Sequence, residues 1–430
     1  MSVSGWFRRQ QSLSAGKESS APESTWKSLS VTRPKRRGAA LTASGAALVL
    51  AAGVMIVAFA SPGSHAALVS SEGPANGING AYGAKALQPA VALQMVSMTP
   101  ASGTKGVNGT SPVRVQFSEP LAPDSPMPTL SPSIAGHWAV QGNAAVFTPA
   151  VGWSQKTKVT VKIPGGLAGV ISAEGATAGD GGTLGSNLSR SFTTRSFSSM
   201  RLQQLMAQLG YLPMTFKAAP GPAIGATSAR AQLAAAYHAP AGTFTWQSGW
   251  PWALRSQWKP GKANILQVGA IRAFESVHKM TMDGIAGKAV WSRLFTAVAK
   301  GQKNPNGYTY ALANQHYPEN LTVWHNGKVV LKTLANTGIP GRPTVDGTFP
   351  VYLKYYFTYM DGINPDGSKY HDPVYFANYF NGGDAVHQFS RYSYGSYQSL
   401  GCVELPWAAA KKAYGYLSYG SLVTVTGPVA

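Results

Sequence analysis

Short runs of alternating apolar and polar residues recur along the chain and limit the folds that it can adopt. Val113–Phe117, Ala144–Thr148 and Lys158–Ile163 alternate in this way, and turn residues separate them. The 48 glycines and 29 prolines supply many further turns and interrupt long helices. A chain of 430 residues is long enough for two to four domains. The pattern therefore predicts a multidomain, mainly β protein.

Composition narrows the classes of partner and cofactor. The net charge is +20, but no dense basic run lies outside the N-terminus, so we predict no nucleic-acid partner. An anionic cell envelope suits a diffuse positive charge equally well, and solubility alone is the other explanation. A single cysteine excludes a disulfide framework and a cysteine-based zinc site. The histidines show no metal-ligand spacing, and we predict neither a metal nor a cofactor.

The N-terminus has the pattern of an export or anchoring segment. Residues 1–38 form a basic polar tail, and residues 39–60 carry no charge and are long enough to cross a bilayer as one transmembrane helix. Basic residues before this segment predict a cytoplasmic tail and an extracytoplasmic remainder. A retained membrane anchor is favoured over a cleaved signal because the apolar run is long. Residues 61–92, rich in small and polar residues, are predicted to be a flexible linker.

Residues 93–197 contain the alternating runs described first, and Ser191–Thr194 closes the set. Short strands at these intervals predict a β-sandwich. The stretches around Thr99-Pro100, Val115–Phe117 and Phe147–Pro149 resemble bacterial immunoglobulin-like (Ig-like) domains. No chemical constellation lies among them, so we interpret this segment as a spacer.

Residues 198–300 are predicted to be helical. Ser198-Ser199 is placed to cap a helix over Met200–Leu209, and Gly210 ends it. This opening, together with Met282–Gly287 and Val290–Leu294, resembles the small helical peptidoglycan-binding domain, with an insertion at 214–262. The insertion holds four tryptophans that are candidates either for stacking on sugar rings or for packing against a neighbouring domain: Trp246, Trp250, Trp252 and Trp258.

Residues 301–430 are predicted to form a β-rich domain. Asn320–Leu334 alternates on both sides of Asn326-Gly327, which is a strong hairpin signal. Near the C-terminus, His387 precedes Cys402 by 15 positions (402 − 387). A thiol is mostly protonated near neutral pH, and an adjacent imidazole converts it into a nucleophile. The pair predicts nucleophilic catalysis; the alternative is a buried, inert thiol.

Residues 399–405 read SLGCVEL, and no histidine follows Cys402. This order argues against papain-like and related cell-wall cysteine peptidases, whose cysteine comes before the histidine. With His387 upstream, the pattern resembles the L,D-transpeptidase catalytic domain (YkuD type) of bacterial cell-wall enzymes. The resemblance implies acyl transfer between peptidoglycan peptide stems through a thioester. It also implies catalytic roles for Cys402, His387 and Ser399, oxyanion contacts from the backbone of Leu400 and Gly401, and substrate contacts from Tyr375, Gln388, Tyr397 and Glu404.

Two positions depart from the family pattern. Leu400 replaces the usual histidine, and Glu404 replaces the usual arginine or asparagine, which reverses the charge beside the nucleophile. The expected partners are peptide stems, glycan and, through the N-terminal helix, a membrane. The alternatives are an L,D-carboxypeptidase, a catalytically idle cell-wall-binding protein and a structural envelope protein. An acidic neighbour raises a thiol's pKa, so a raised pKa at Cys402 would favour the idle protein.

Overall fold

The computed structural model of the protein describes residues 92–173 and 182–427. The predicted basic tail, the predicted anchor at 39–60 and the linker up to residue 91 lie outside these residues and remain predictions. Within the two described ranges, no helix is both long and apolar enough to span a bilayer.

The N-terminal part of the described chain is a β-sandwich. Its two four-stranded sheets have the orders β1-β3-β6-β5 and β2-β8-β7-β4. Val113, Val115 and Phe117 point inward from β3 while the residues between them lie nearer the surface, as the alternating sequence predicts. Trp153 and Phe192 fill the space between the sheets. The strands are β1 Met95–Thr99, β2 Lys105–Val107, β3 Val113–Phe117, β4 Thr129–Ser131, β5 Gly136–Gln141, β6 Ala144–Pro149, β7 Lys158–Ile163 and β8 Leu188–Thr194.

The middle part is mainly helical. The predicted first helix is present, and the Ser198 hydroxyl accepts a hydrogen bond from the Arg201 N–H at 3.4 Å. The insertion is not an irregular loop, because it contains a two-stranded sheet and two helices. The elements are α1 Ser199–Gln208, β9 Met214–Ala218, α2 Ala229–Tyr237, β10 Gly242–Trp246, α3 Trp252–Arg255, α4 Ile265–Val277 and α5 Lys288–Ala299.

The tryptophans of the insertion mostly pack inside the protein. Trp250 is 5% exposed, and its ring meets that of Tyr308 edge-on at 5.3 Å. Trp258 packs against Phe244 at 5.1 Å between ring centroids. Trp252 alone among the four is largely exposed, at 77%. Trp250 therefore packs against the neighbouring domain, whereas Trp258 packs within the insertion, and stacking on sugar remains a prediction for Trp252.

The C-terminal part combines two sheets with one helix. A five-stranded sheet has the order β13-β12-β11-β19-β14, and a four-stranded sheet has the order β15-β16-β17-β18. The predicted hairpin turns at Asn326 and Gly327, both with positive φ. The elements are β11 Thr309–Asn314, β12 Asn320–His325, β13 Lys328–Leu334, β14 Gly347–Pro350, β15 Leu353–Ile363, β16 Lys369–Asn381, β17 Asp384–Gln388, β18 Val403–Leu405, α6 Trp407–Tyr416 and β19 Leu422–Thr426.

The helical part and the five-stranded sheet share one hydrophobic core. Tyr308, Tyr310 and Leu422 belong to the same buried cluster as the apolar faces of α1, α4 and α5. Helix α4 approaches the loop before β19 closely, because a Cβ at Gly269 would lie 2.6 Å from the Gly420 carbonyl oxygen. Gly269 therefore permits a contact that no larger residue allows.

We predict that Gly269→Ala lowers the free energy of unfolding by about 1–3 kcal/mol, because the added methyl group must displace backbone atoms. Chemical denaturation of the full-length protein measures this value. Gly415→Ala is the matched control, since Gly415 lies in α6 with no atom near its missing Cβ. The control should gain about 0.5–1 kcal/mol from alanine's helix preference. Equal effects of the two substitutions would contradict the close contact.

Candidate active site

Two parallel strands bring the predicted nucleophile and base together. β17 pairs with β18 in a register that sets His387 opposite Glu404 and Val386 opposite Val403. Because side chains alternate along a strand, His387 and Glu404 share one face, and Cys402, two residues before Glu404, lies on that face too. Val386 and Val403 point to the other face, into the core that α6 covers.

The shared face opens into a cavity of about 600 Å³. Cys402, His387, Glu404 and Leu400 all line it. The hairpin of β15 and β16 forms another wall and contributes aromatic and acidic side chains. The aromatic and acidic side chains that line the cavity from β15, β16 and the start of β17 are Tyr359, Asp361, Tyr370, Asp372, Tyr379 and Asp384.

His387 is held as a neutral base. It is 2% exposed, and its Nδ1 lies 2.8 Å from the carbonyl oxygen of Gln388. Because a carbonyl only accepts, Nδ1 carries the proton and Nε2 is left as the basic nitrogen. Burial lowers the pKa of His387, and the hydrogen bond to Gln388 opposes this effect. The imidazole is therefore uncharged near neutral pH.

Cys402 carries a protonated thiol in this arrangement. Burial raises the pKa of the Cys402 thiol to about 12; the charges of Asp384 and Glu404 raise it as well, and a hydrogen bond from the Ala385 backbone opposes them. The Sγ lies 3.9 Å from the carbonyl oxygen of Gly383. In the described part of the chain no hydrogen bond joins Sγ to His387. The resting site is thus a neutral thiol beside a neutral imidazole, rather than an ion pair.

Ser399 holds the loop that carries the nucleophile. Its Oγ donates to the carbonyl oxygen of Cys402 at 2.6 Å and accepts from the Gly401 N–H at 3.3 Å. The Gly401 N–H therefore already has a partner, unlike the free oxyanion donor that the sequence suggested. Gly401 has a φ of +124°, and a Cβ there would lie 2.6 Å from Asp384 Oδ1. Glycine is thus required at this position.

The acidic charge at Glu404, which the sequence placed beside the nucleophile, is paired with an arginine. Arg391 donates through Nε and Nη2 to the two carboxylate oxygens, both at 2.7 Å. Glu404 is 4% exposed, and the Arg391 guanidinium lies over the Phe389 ring. Two-point pairing of this kind is the strongest form of a charge-assisted hydrogen bond. The site therefore contains a guanidinium, but Arg391 supplies it from the loop after β17 and not from position 404, where the family usually has arginine or asparagine.

Three predicted substrate contacts do not line the cavity. The Tyr397 hydroxyl donates to the carbonyl oxygen of Gln315 at 3.0 Å. Gln388 is buried, and its side-chain amide donates to Ser390, as expected for a residue that follows His387 and so faces the other way. Tyr375 packs against Trp407 at 4.9 Å between ring centroids. These residues contact neighbouring protein groups in place of the cavity.

Sequence reasoning missed Asp384 and Arg391. Arg391 is the only arginine or lysine between His387 and Leu405, and Glu404 is the only acid there, so their pairing was readable from the motif. Asp384 follows the Gly382-Gly383 turn and gave no such signal. Burial raises its pKa to about 6, and a 3.1 Å hydrogen bond from Asn381 opposes the shift. No cluster of His, Cys, Asp and Glu that could hold a metal occurs among the described residues.

We predict that Arg391→Gln costs about 3 kcal/mol of folding free energy, because it leaves a buried carboxylate without a cation. Denaturant unfolding measures the loss. The double variant Arg391→Gln/Glu404→Gln should recover most of it, since both charges are then absent. Glu404→Gln alone should cost less, because the Arg391 side chain is 30% exposed and can reach water. Equal losses in the Arg391 single and double variants would contradict the pairing.

We predict that Asp384→Asn makes Cys402 more reactive above pH 6. Asp384 ionises as the pH rises through about 6, and its negative charge then opposes formation of the thiolate. Iodoacetamide should alkylate the variant about threefold to tenfold faster at pH 8. Asp366→Asn, an exposed acid at the tip of the β15–β16 hairpin, is the control and should change nothing.

The same substitution has a signed effect on stability. Folding raises the pKa of Asp384 from 3.8 to about 6, so the folded protein loses stability as the pH rises through this range. Asp384→Asn should flatten the stability profile there. A profile that keeps its slope, with an unchanged alkylation rate, would show that Asp384 does not act on the thiol.

Family comparisons agree with this geometry. Residues 309–425 match the L,D-transpeptidase catalytic domain (YkuD), and residues 89–194 match the bacterial Ig-like domain (Big_5). No curated protein matches the chain. Among the solved structures to which the chain is similar is an L,D-transpeptidase from Mycobacterium smegmatis, with 16% sequence identity over 78% of this chain and 99% of that chain and a TM-score of 0.26. Another is the catalytic domain from the E. faecium L,D-transpeptidase, with 28% identity over 27% of this chain and 96% of that chain and a TM-score of 0.26.

The two family matches and the geometry of the site carry the assignment. Together they identify an L,D-transpeptidase catalytic domain of the YkuD type and a bacterial Ig-like domain in one mainly β chain.

Proposed function

We propose that the protein is a peptidoglycan L,D-transpeptidase that joins peptide stems through a thioester on Cys402. One observation carries the proposal: His387 on β17 and Cys402, directly before the adjacent parallel strand β18, line the same cavity, with Nε2 of the histidine left as the base. The L,D-transpeptidase domain over residues 309–425 supports peptidoglycan cross-linking in general.

The first half-reaction forms the thioester. Cys402 Sγ attacks the carbonyl carbon that links the diamino acid of a tetrapeptide stem to its terminal D-alanine. The thiol proton passes to His387 Nε2 as the S–C bond forms, because both groups start uncharged. The carbonyl oxygen becomes an oxyanion, for which the Leu400 backbone N–H at the cavity wall is the candidate donor. The C–N bond then breaks, and His387 protonates the departing amine of D-alanine.

The second half-reaction resolves the thioester. The amine of a neighbouring stem attacks the thioester carbonyl, and His387 takes the proton from the attacking nitrogen. The C–S bond breaks, and the Cys402 sulfur recovers a proton from His387. The product is a new amide between two stems. Attack by water in place of the amine gives the L,D-carboxypeptidase outcome.

The charged pair beside the nucleophile suits a peptide substrate. Arg391 neutralises Glu404, so a stem with carboxylates does not meet an uncompensated negative charge there. Arg391 Nη2 also donates to the carbonyl oxygen of Gln398, which fixes the loop between β17 and the nucleophile. Ser399 fixes the other end of that loop. We assign both residues to positioning.

A catalytically idle cell-wall-binding protein is the second candidate. The specific observation that favours it is the Cys402 thiol, whose pKa is raised to about 12 and which has no hydrogen bond to His387 in the described residues. A nucleophile with so high a pKa is mostly protonated and reacts slowly unless the base acts during attack. The two candidates differ in whether the protein forms a covalent adduct.

The other segments have supporting roles in this proposal. Residues 39–60 anchor the protein in the cell membrane with the catalytic part outside, or are cleaved as a signal. Residues 93–197 act as a spacer, and residues 198–300 bind peptidoglycan glycan, with the exposed Trp252 as a candidate stacking surface.

We predict that the full-length protein gains the mass of one carbapenem on incubation and releases D-alanine from a tetrapeptide stem. Intact-mass spectrometry and D-alanine detection measure the two outcomes. Cys402→Ala should abolish both, and His387→Gln should slow them by about 10²- to 10⁴-fold, which is the usual contribution of a general base.

His316→Gln is the matched control, because His316 lies exposed in a loop away from the cavity and should leave both rates unchanged. If the folded wild-type protein forms no adduct and releases no D-alanine, the transpeptidase proposal is wrong and the idle binding protein is the better assignment. If D-alanine is released but no stems are joined, the protein acts as an L,D-carboxypeptidase.

A further inference from the structure

A second cavity, separate from the one at Cys402, lies in the helical part of the chain. It has a volume of about 1110 Å³ and is formed by α1, β9, α2 and the loop between β9 and α2. Its walls are mostly small or apolar residues, with nine alanines and three prolines among them. Arg201, His238 and Lys303 also line it, and no aspartate or glutamate does.

Arg201 is the unusual member of this lining. It is 6% exposed, and its two terminal nitrogens donate to the side-chain oxygens of Gln204 and Gln232 at 3.3 and 3.1 Å. Its Nε is buried without a hydrogen-bond partner. Within the two described ranges no carboxylate forms an ion pair with it.

A guanidinium in this position is costly to the free protein. Charged groups lose their hydration when buried and are normally paired with an opposite charge. Two amide oxygens supply only partial negative charge, and burial lowers the pKa of Arg201 to about 10. Lys303 and His238 at the same cavity add no negative charge. No carboxylate among the described residues supplies the missing negative charge, so the cavity is arranged to receive an anion from a ligand.

The walls indicate which anion fits. Methyl groups and proline rings make up most of the walls and offer dispersion contacts to small side chains. The volume exceeds the common upper range of about 1,000 Å³ for small-molecule pockets, which is room for several peptide residues. An arginine fork matches the planar geometry of a carboxylate.

We propose that this cavity binds the free carboxylate end of a short peptide with small side chains, and that Arg201 is the residue that holds the carboxylate. Gln204 and Gln232 position the guanidinium, and their own amide groups are fixed by the carbonyl oxygens of Pro240 and Gly225. The inference concerns a site apart from Cys402 and does not depend on the reaction there.

The test uses the full-length Cys402→Ala protein, so that no probe can react at the other cavity. N-acetyl-trialanine with a free carboxylate is titrated calorimetrically against the same peptide as its C-terminal amide. The acid should bind and the amide should bind at least about tenfold more weakly, because a charge-assisted pair is lost. Equal binding of the two peptides would overturn the proposal.

Arg201→Gln in the same background should weaken binding of the acid by about 10- to 100-fold. Arg201→Lys keeps the charge without the fork and should bind with intermediate strength. Lys217→Gln is the matched control, because Lys217 is exposed on β9 and does not line the cavity. Binding by the Arg201 variants at the level of the control would overturn the proposal.

A readout without substitutions in this cavity keeps the test decisive if the Arg201 variants fail to fold. The acid should slow amide hydrogen exchange in residues 215–241, and the amide should not. Exchange that slows only around residues 383–404 would assign the peptide to the catalytic cavity and overturn the proposal. Co-sedimentation with insoluble peptidoglycan, compared with the soluble peptide, then distinguishes wall-linked stems from released peptides as the source.

Discussion

The register between β17 and β18 is the constraint on which the active site depends. The paired stretch of the two strands is short, and a register shift of one residue would turn Cys402 toward the core and Val403 toward the cavity. The contacts at its ends hold it in place. Arg391 ties Glu404 to the loop after β17, and Ser399 ties the nucleophile loop back to Cys402. The buried valines and α6 on the opposite face oppose any other alignment.

The electrostatics around Cys402 favour a resting state without charge on the sulfur. Asp384 and Glu404 both raise the thiol's pKa, and burial lowers that of His387. Reaction from such a pair requires proton transfer during bond formation instead of a preformed thiolate. A protonated thiol is also less easily oxidised, because oxidation follows thiolate character. This property suits the only cysteine of a chain that is proposed to work outside the cell.

The sequence predicted those features that local signals determine. The Asn326-Gly327 turn, the capped helix after Ser198 and the alternating strands depend on neighbouring residues, and all are present. The His387 and Cys402 pair came from a motif. Other features depend on how distant segments meet: Asp384 reaches the nucleophile loop only because a glycine at position 401 leaves room for it. The orientation of Gln388, by contrast, follows from strand alternation beside His387 and could have been predicted.

The close packing of Gly269 against Gly420 joins the helical part to the five-stranded sheet of the C-terminal part through a common core. Neither can rotate against the other without opening that core. If the helical part binds glycan, as proposed, the bound segment of the polymer lies at a fixed distance from Cys402. Choice among otherwise identical stems would then depend on their position on the polymer rather than on their chemistry.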